Sequence, residues 1–277
     1  MTEPRSWLFV PADSEKKIAK ALDSAADAII FDLEDSVAPA QKARAREILK
    51  TLPKRSGGPQ WWVRINPLRT DDHRQDLEII GIADVHGIVL PKAETGADVV
   101  ELAHRTGSIP IHAIVTETAA SLFGLLSYRD PKSPLAGMSW GAEDLSAALG
   151  AASKYDESGE LAFTYKLARS LCLAGAVAAG VQPVDGVFAD FRDEAGLLSE
   201  ARAAAREGFT GKLAIHPAQV EPINAAFTPS AEDVAHAQAI AAAFAAQPAA
   251  GVLSVGGRMV DKPHLVQAQR TLQRAAR

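Results

Sequence analysis

Long apolar runs, paired cysteines and phosphate-cradling glycine loops are all missing from this chain of 277 residues. No stretch approaches the roughly 20 apolar residues that cross a bilayer, so a membrane-spanning role is not expected. The single cysteine, Cys172, cannot form an internal disulfide. It lies in the apolar stretch LARSLCLAGAVAAG and reads as core packing rather than as a nucleophile. The opening segment MTEPRSWLFVPADSEKK has neither a long apolar core nor a cleavage site, which sets a cytoplasmic location as the expectation. Excess basic charge is lacking too: 29 Lys and Arg against 34 Asp and Glu leave a net charge of −5, against a nucleic-acid or anionic-membrane partner. Neither GxGxxG nor GxxxxGK(S/T) occurs, and no HExxH or CxxC pair is found. The usual dinucleotide, P-loop and zinc signatures are therefore absent.

What is present is a rhythm. Eight strand-like runs start near residues 6, 28, 61, 87, 111, 137, 184 and 212: WLFV, AIIFDL, WWVRI, GIVL, IHAIVT, GMSWG, DGVF and KLAI. Most are short and apolar rather than alternating, as strands covered on both faces should be. Helical patterns fall between them. One follows Asp13 or Ser14 as N-cap, one begins at Pro39, and others span 72–80, 95–105, 118–127, 161–179 and 193–207. Eight alternations in about 220 residues predict an α/β fold, a TIM (β/α)8 barrel, over residues 1–227. An open doubly wound sheet is the rival, but it normally has fewer strands and often a glycine-rich loop. Residues 228–277 form a C-terminal helical extension: an alanine-rich helix over Ala231–Ala246 capped by Ser230, turns in SVGGRMVDKP, and a last helix over Leu265–Ala276. The polar insertion KYDESGE (Lys154–Glu160) is expected to be a loop near the site.

The apolar runs end in residues suited to catalysis, and in a parallel barrel these ends meet at one mouth. Glu117 and Asp144 follow adjacent strands. Two carboxylates with substrate oxygens and waters can hold a hard cation such as Mg2+, and Mn2+ uses similar ligands. Each could instead cap the helix that follows it, Asp144 over Leu145–Leu149. Arg64, in WWVRINP, can grip a carboxylate or stabilise an enolate oxygen, or it can be a buried partner of Glu34 or Asp35. The DLED segment crowds three acids at one strand end, which needs a cation nearby; Glu34 and Asp35 are read as orienting Arg64 or metal-bound water, with a solvated loop as the alternative. Lys92, in VLPKAE, faces the mouth and can pair with Glu94 or Asp35, or act as a Schiff-base lysine. Lys16, Lys17 and Lys20 start the first helix, where they can receive phosphates or form a solvated face. His216, in AIHP, meets either substrate or a loop.

In order along the chain, LFVPA (Leu8–Ala12), DLEDSV (Asp32–Val37), VRIN (Val63–Asn66), VLPKAE (Val89–Glu94), VTETAA (Val115–Ala120), WGAEDL (Trp140–Leu145), GFTGKLAIHPAQV (Gly208–Val220) and MVDKP (Met259–Pro263) resemble the citrate lyase β-subunit-like CoA-ester lyases of the HpcH/HpaI aldolase group. The resemblance implies a TIM barrel that binds Mg2+ and cleaves or forms a C–C bond in a 3-hydroxyacyl-CoA such as malyl-CoA or citramalyl-CoA. It implies that Glu117 and Asp144 ligate the metal, that Arg64 contacts the reacting oxygens, and that Glu117, Lys16 and Lys17 line the CoA substrate. It further implies that Asp261, in MVDKP, is an acid/base contributed by the tail of an adjacent subunit, hence a homo-oligomer, commonly a trimer or hexamer. Malyl-CoA thioester hydrolysis or a malate-synthase-like reaction is the alternative. A third is a citrate lyase component acting on an acyl-carrier-protein thioester. VTETAAS departs from the commoner IETA-type sequence but keeps Glu117.

Overall fold

A computed structural model describes residues 3–53, 57–130 and 132–276. Eight parallel strands close on themselves: β1 (Ser6–Pro11), β2 (Ala28–Asp32), β3 (Gln60–Arg64), β4 (Gly87–Leu90), β5 (Ile111–Ile114), β6 (Leu135–Ser139), β7 (Gln182–Asp185) and β8 (Gly211–Ala214), with β8 paired back to β1. The helices between them are α1 (Glu15–Leu22), α2 (Lys42–Lys50), α3 (Asp71–Ile80), α4 (Gly96–Thr106), α5 (Ser121–Gly124), α6 (Ala142–Ala148), α7 (Phe163–Ala179) and α8 (Glu194–Glu207). The TIM barrel read from the apolar runs is the fold. The expected helix over 118–127 is instead a single turn, α5, followed by a 3-10 turn at Leu125–Tyr128. Thr118 and Ser121 each accept the other's backbone N–H through their hydroxyls, which delays the helix start.

Inward-facing side chains fill the barrel. Trp7, Ala28, Ile30, Trp62, Val89, Ile114, Val184 and Leu213 form one buried cluster. His112 lies among them without exposure, its ring centroid 4.8 Å from that of Trp7. Burial alone pushes its pKa down to about 3, so it is a neutral core residue. Neither ring nitrogen has a hydrogen-bond partner. All four tryptophans, Trp7, Trp61, Trp62 and Trp140, are buried here. Between barrel and outer helices, Lys212 and Asp185 pair at 2.9 Å, both fully buried. Arg169 on α7 and Trp140 also donate to Asp185, and Glu200 on α8 accepts from Lys212. This network ties two helices to the end of the sheet.

The chain divides into two compact units, Glu3–Asn224 and the part from Ala225 onward, the division falling inside α9 (Val220–Phe227). The second unit contains α10 (Ala231–Ala246), a two-stranded ribbon of β9 (Val252–Val255) and β10 (Arg258–Asp261), and α11 (Lys262–Ala275). Its core joins Ala237, Ile240 and Phe244 to Val260 and Ala268. SVGGRMVDKP was expected to hold turns only; its flanks pair as a hairpin. Gly256 and Gly257 both have positive φ, 56° and 75°, the pair of conformations that a two-residue hairpin turn of type I′ demands. Ser230 caps α10 through a reciprocal box with Asp233. The last helix begins earlier than expected, with Asp261 as its N-cap and Pro263 in its first turn.

Candidate active site

At the C-terminal end of β2 and β3, register places Asp32 beside Arg64. The Arg64 Nε and Nη2 donate to the two Asp32 carboxylate oxygens at 2.7 and 2.6 Å, a bidentate fork, and Nη1 lies 2.8 Å from Glu34. Asp32 also accepts the backbone N–H groups of Glu34 and Ser36. Burial opposes its charge, yet Arg64 holds the carboxyl below its ordinary value. The aromatic ring of Phe9 lies 4.8 Å from the guanidinium carbon. Arg64 is therefore a buried, oriented cation. Its partners are Asp32 and Glu34; Asp35, the other expected partner, is not among them.

Asp35 meets Lys92 instead. The Lys92 Nζ lies 2.9 Å from Glu34, 3.4 Å from Asp35 and 3.2 Å from Asp144. Burial disfavours the ammonium, but Glu34, Asp144 and Asp35 outweigh it and raise its pKa. A lysine so held stays charged, which argues against the Schiff-base reading. Glu94, also expected as its partner, accepts from the Thr118 hydroxyl. The Lys92 backbone N–H donates to Glu117, and Lys92 has φ +51°, uncommon for a residue with a side chain.

Glu117 is buried after β5. Burial, with the nearby charges of Glu34 and Asp144, pushes its pKa up to about 8, against the pull of the Lys92 N–H and Arg64. A carboxylate in that position needs a further cation to stay ionised at neutral pH. Neither carboxylate caps the helix that follows it. Gly141 occupies the N-cap position of α6, and Asp144 is the third residue of that helix. Gly141 also makes room: a Cβ there would stand 2.8 Å from the Glu117 Cγ. Gly141→Ala should thus displace Glu117 and weaken metal retention at least about tenfold, with little change in melting temperature; metal titration beside a thermal melt checks both.

Among the described residues, no three His, Cys, Asp or Glu side chains gather closely enough to hold a metal alone. The oxygen donors of Glu117 and Asp144 still suit Mg2+, which commonly takes one or two carboxylates and fills its shell with water and substrate. The two are joined through Lys92, whose backbone meets one and whose ammonium meets the other. The pair fits such an ion.

Other expected residues fall elsewhere. Lys16 and Lys17 are exposed on α1, and the cluster's contacts do not include them. His216 accepts the Ala218 N–H in a turn and stacks on Phe191. Lys154, in the KYDESGE insertion, pairs with Glu143 in the first turn of α6, next to Asp144. Cys172 is fully buried, its thiol pKa raised by that burial, as core packing requires. Asp261 belongs to the second unit, where His264 Nδ1 lies 2.5 Å from its carboxylate and holds its pKa low. Two features escaped the sequence reading. Lys42 reaches back from α2 to the carbonyls of Leu33 and Glu34 and to Asn66, bracing the DLED turn. GMSWG (Gly137–Gly141) does spell the hydrolase pattern GxSxG. Ser139, however, lies buried within β6 rather than on a strand-to-helix turn, so it is no nucleophile.

A closed parallel barrel with a carboxylate, arginine and lysine cluster at the C-terminal ends of its strands has the layout of a TIM-barrel enzyme. Comparison with known proteins narrows the class. The family described as HpcH/HpaI aldolase/citrate lyase matches residues 5–217, and a C–C bond lyase of the TIM-barrel fold matches residues 162–277. The chain is 38% identical over 275 residues to a (3S)-malyl-CoA thioesterase of Cereibacter sphaeroides, covering 98% of this chain and 94% of that protein. It is 35% identical over 291 residues to the mitochondrial citramalyl-CoA lyase of Mus musculus, covering 96% and 84%. A crystal structure of CitE from Mycobacterium tuberculosis, in complex with magnesium, acetoacetate and coenzyme A, aligns with TM-score 0.86 and 38% identity over 99% of this chain and 98% of that one. The chain belongs to the HpcH/HpaI aldolase/citrate lyase family.

Proposed function

We propose that this chain is a Mg2+-dependent acyl-CoA lyase that cleaves, or forms by Claisen condensation, a C–C bond in a 3-hydroxyacyl-CoA such as malyl-CoA or citramalyl-CoA. The products of cleavage are a 2-oxo acid and an acyl-CoA. The observation that carries this reading is the fixed guanidinium of Arg64, forked onto Asp32, beside Glu117 and Asp144. A CitE structure bound to magnesium, acetoacetate and coenzyme A supports the ligand class.

In this reading Glu117 and Asp144 would hold the metal, which would supply Lewis-acid stabilisation of charge on substrate oxygen. Arg64 commits two N–H groups to Asp32 and lies in ion-pair contact with Glu34, which leaves its other N–H groups for substrate oxygen. Because Asp32 and Glu34 fix its plane, it offers those donors without reorganising. In cleavage the hydroxyl proton leaves to a carboxylate. The electron pair of the C–C bond then passes to the thioester α-carbon as an enolate. Asp261, supplied by a neighbouring copy in a homo-oligomer, is the carboxylate that takes the hydroxyl proton and then delivers it to that carbon; in condensation it removes a proton from that carbon and passes it to the new alkoxide. Its low pKa, set by His264, keeps it ionised for the base role. Lys16 and Lys17, exposed on α1, are free to meet the CoA phosphates.

Thioester hydrolysis is the second reading, favoured by the 38% identity to a malyl-CoA thioesterase. One assay separates them: malyl-CoA and citramalyl-CoA, each with and without Mg2+, with 2-oxo acid and free thiol followed separately. Metal-dependent oxo acid without matching thiol is the expected result. Thiol without oxo acid would establish the thioesterase. Silence on both, from a folded protein that binds CoA, would point to a carrier-protein substrate or to a different acyl group.

A further inference from the structure

Lys92 touches both carboxylates assigned to the metal, and it does so with different atoms. Its backbone N–H donates to Glu117, while its ammonium lies 3.2 Å from Asp144. The left-handed backbone at φ +51° marks it out, since that conformation is unfavourable for a lysine and persists only where its surroundings impose it. The ammonium has two further partners of unequal permanence. Glu34 is 3% exposed and locked on its other side by Arg64, so the Lys92–Glu34 pair at 2.9 Å is sheltered. Asp35, 56% exposed, and Asp144, 32% exposed, pair with it where solvent and ions can reach, and of these two Asp144 is the carboxylate assigned to the metal.

We propose that Lys92 is a built-in counter-cation that occupies Asp144 in the metal-free enzyme and sets how tightly the site takes a divalent ion. The inference rests on the assignment of Glu117 and Asp144 as metal ligands. On metal arrival Asp144 leaves the ammonium, which stays anchored by Glu34 and Asp35. The fixed positive charge remains close to the incoming ion and weakens its binding. Lys92 therefore acts against the metal, as a device that keeps the cluster charge-balanced when empty and the ion exchangeable. This differs from a lysine that merely orients Asp144 for coordination, whose loss would weaken the metal.

Direct Mn2+ binding, read as loss of the free-ion electron paramagnetic resonance signal, tests the proposal without reference to turnover. Lys92→Met and Lys92→Gln, checked by circular dichroism for an intact fold, should each bind Mn2+ about 10- to 100-fold more tightly than wild type, from removal of a like charge a few ångströms away. Lys92→Arg, which keeps the charge, should stay within about threefold of wild type. Unchanged or weaker binding in both neutral variants would overturn the proposal. Asp144→Asn serves as the separate control: if it binds Mn2+ as wild type does, the ligand assignment fails. If it loses binding while the neutral Lys92 variants bind no more tightly than wild type, only the counter-cation role fails.

Discussion

Asp144→Asn should lower turnover on the preferred CoA ester by about a hundred- to a thousandfold while leaving the fold unchanged. Asp144 is part-exposed, lies in the first turn of α6 and pairs with Lys92, which keeps Glu34 and Asp35 when Asp144 is neutralised. Nothing buried is orphaned, so the melting temperature should move by no more than a few degrees. The catalytic cost comes from a different source. Removing one of the two proposed protein ligands would take away charge stabilisation at the developing ketone oxygen, and losing a single electrostatic contact of that type typically costs about 10²–10³ in rate. Steady-state kinetics across Mg2+ concentrations check it. Rescue of full turnover by excess Mg2+ would show that only affinity was touched; a persistent deficit places Asp144 at the chemistry.

Asp185→Ala should cost about 3–5 kcal/mol of stability, the penalty for leaving a buried charge without its partner. Asp185 and Lys212 are both without solvent exposure, and Asp185 also receives Arg169 and the Trp140 N–H. In a chain of this size the loss corresponds to a fall of roughly 10 °C or more in melting temperature. The paired variant Asp185→Leu with Lys212→Met should recover part of it, because the fully buried Lys212 charge is gone while Arg169 and the Trp140 N–H still lose Asp185. Burial opposes ionisation of Asp185, but Lys212 and Arg169 overcome it and bring its pKa down to about 2, from an ordinary 3.8. A depressed carboxyl contributes stability that is complete above about pH 4 and drains away as pH falls toward 2. The Ala variant should therefore lose its disadvantage relative to wild type in that window, which urea titrations at stepped pH will measure.

The barrel was legible because its strands are buried on both faces and so read as uninterrupted apolar runs such as AIIFD and GIVL, a pattern that no tertiary contact has to rescue. Glu34, Arg64, Lys92, Glu117 and Asp144 could be nominated for the same reason: each follows directly on such a run, and parallel closure must bring those ends together. Pairing was another matter. Which acid Arg64 takes depends on the register of β2 against β3, and that register selects Asp32, the inward residue of DLED, over Asp35. The hairpin around Gly256 and Gly257 was read as turns because its strands are four residues long and half exposed, too little pattern to register. The Asp185–Lys212 network left half a signal: a charge inside an apolar run announces a partner but not its address.

The distribution of aromatic residues has an optical consequence. Every tryptophan and every tyrosine precedes residue 225, so the unit that contains Asp261 carries no chromophore beyond phenylalanine. Intrinsic emission therefore follows the barrel alone, while far-ultraviolet ellipticity sums both units, α10 and α11 included. The difference between the two melting curves is the unfolding profile of the tail, obtained from the unlabelled wild-type chain.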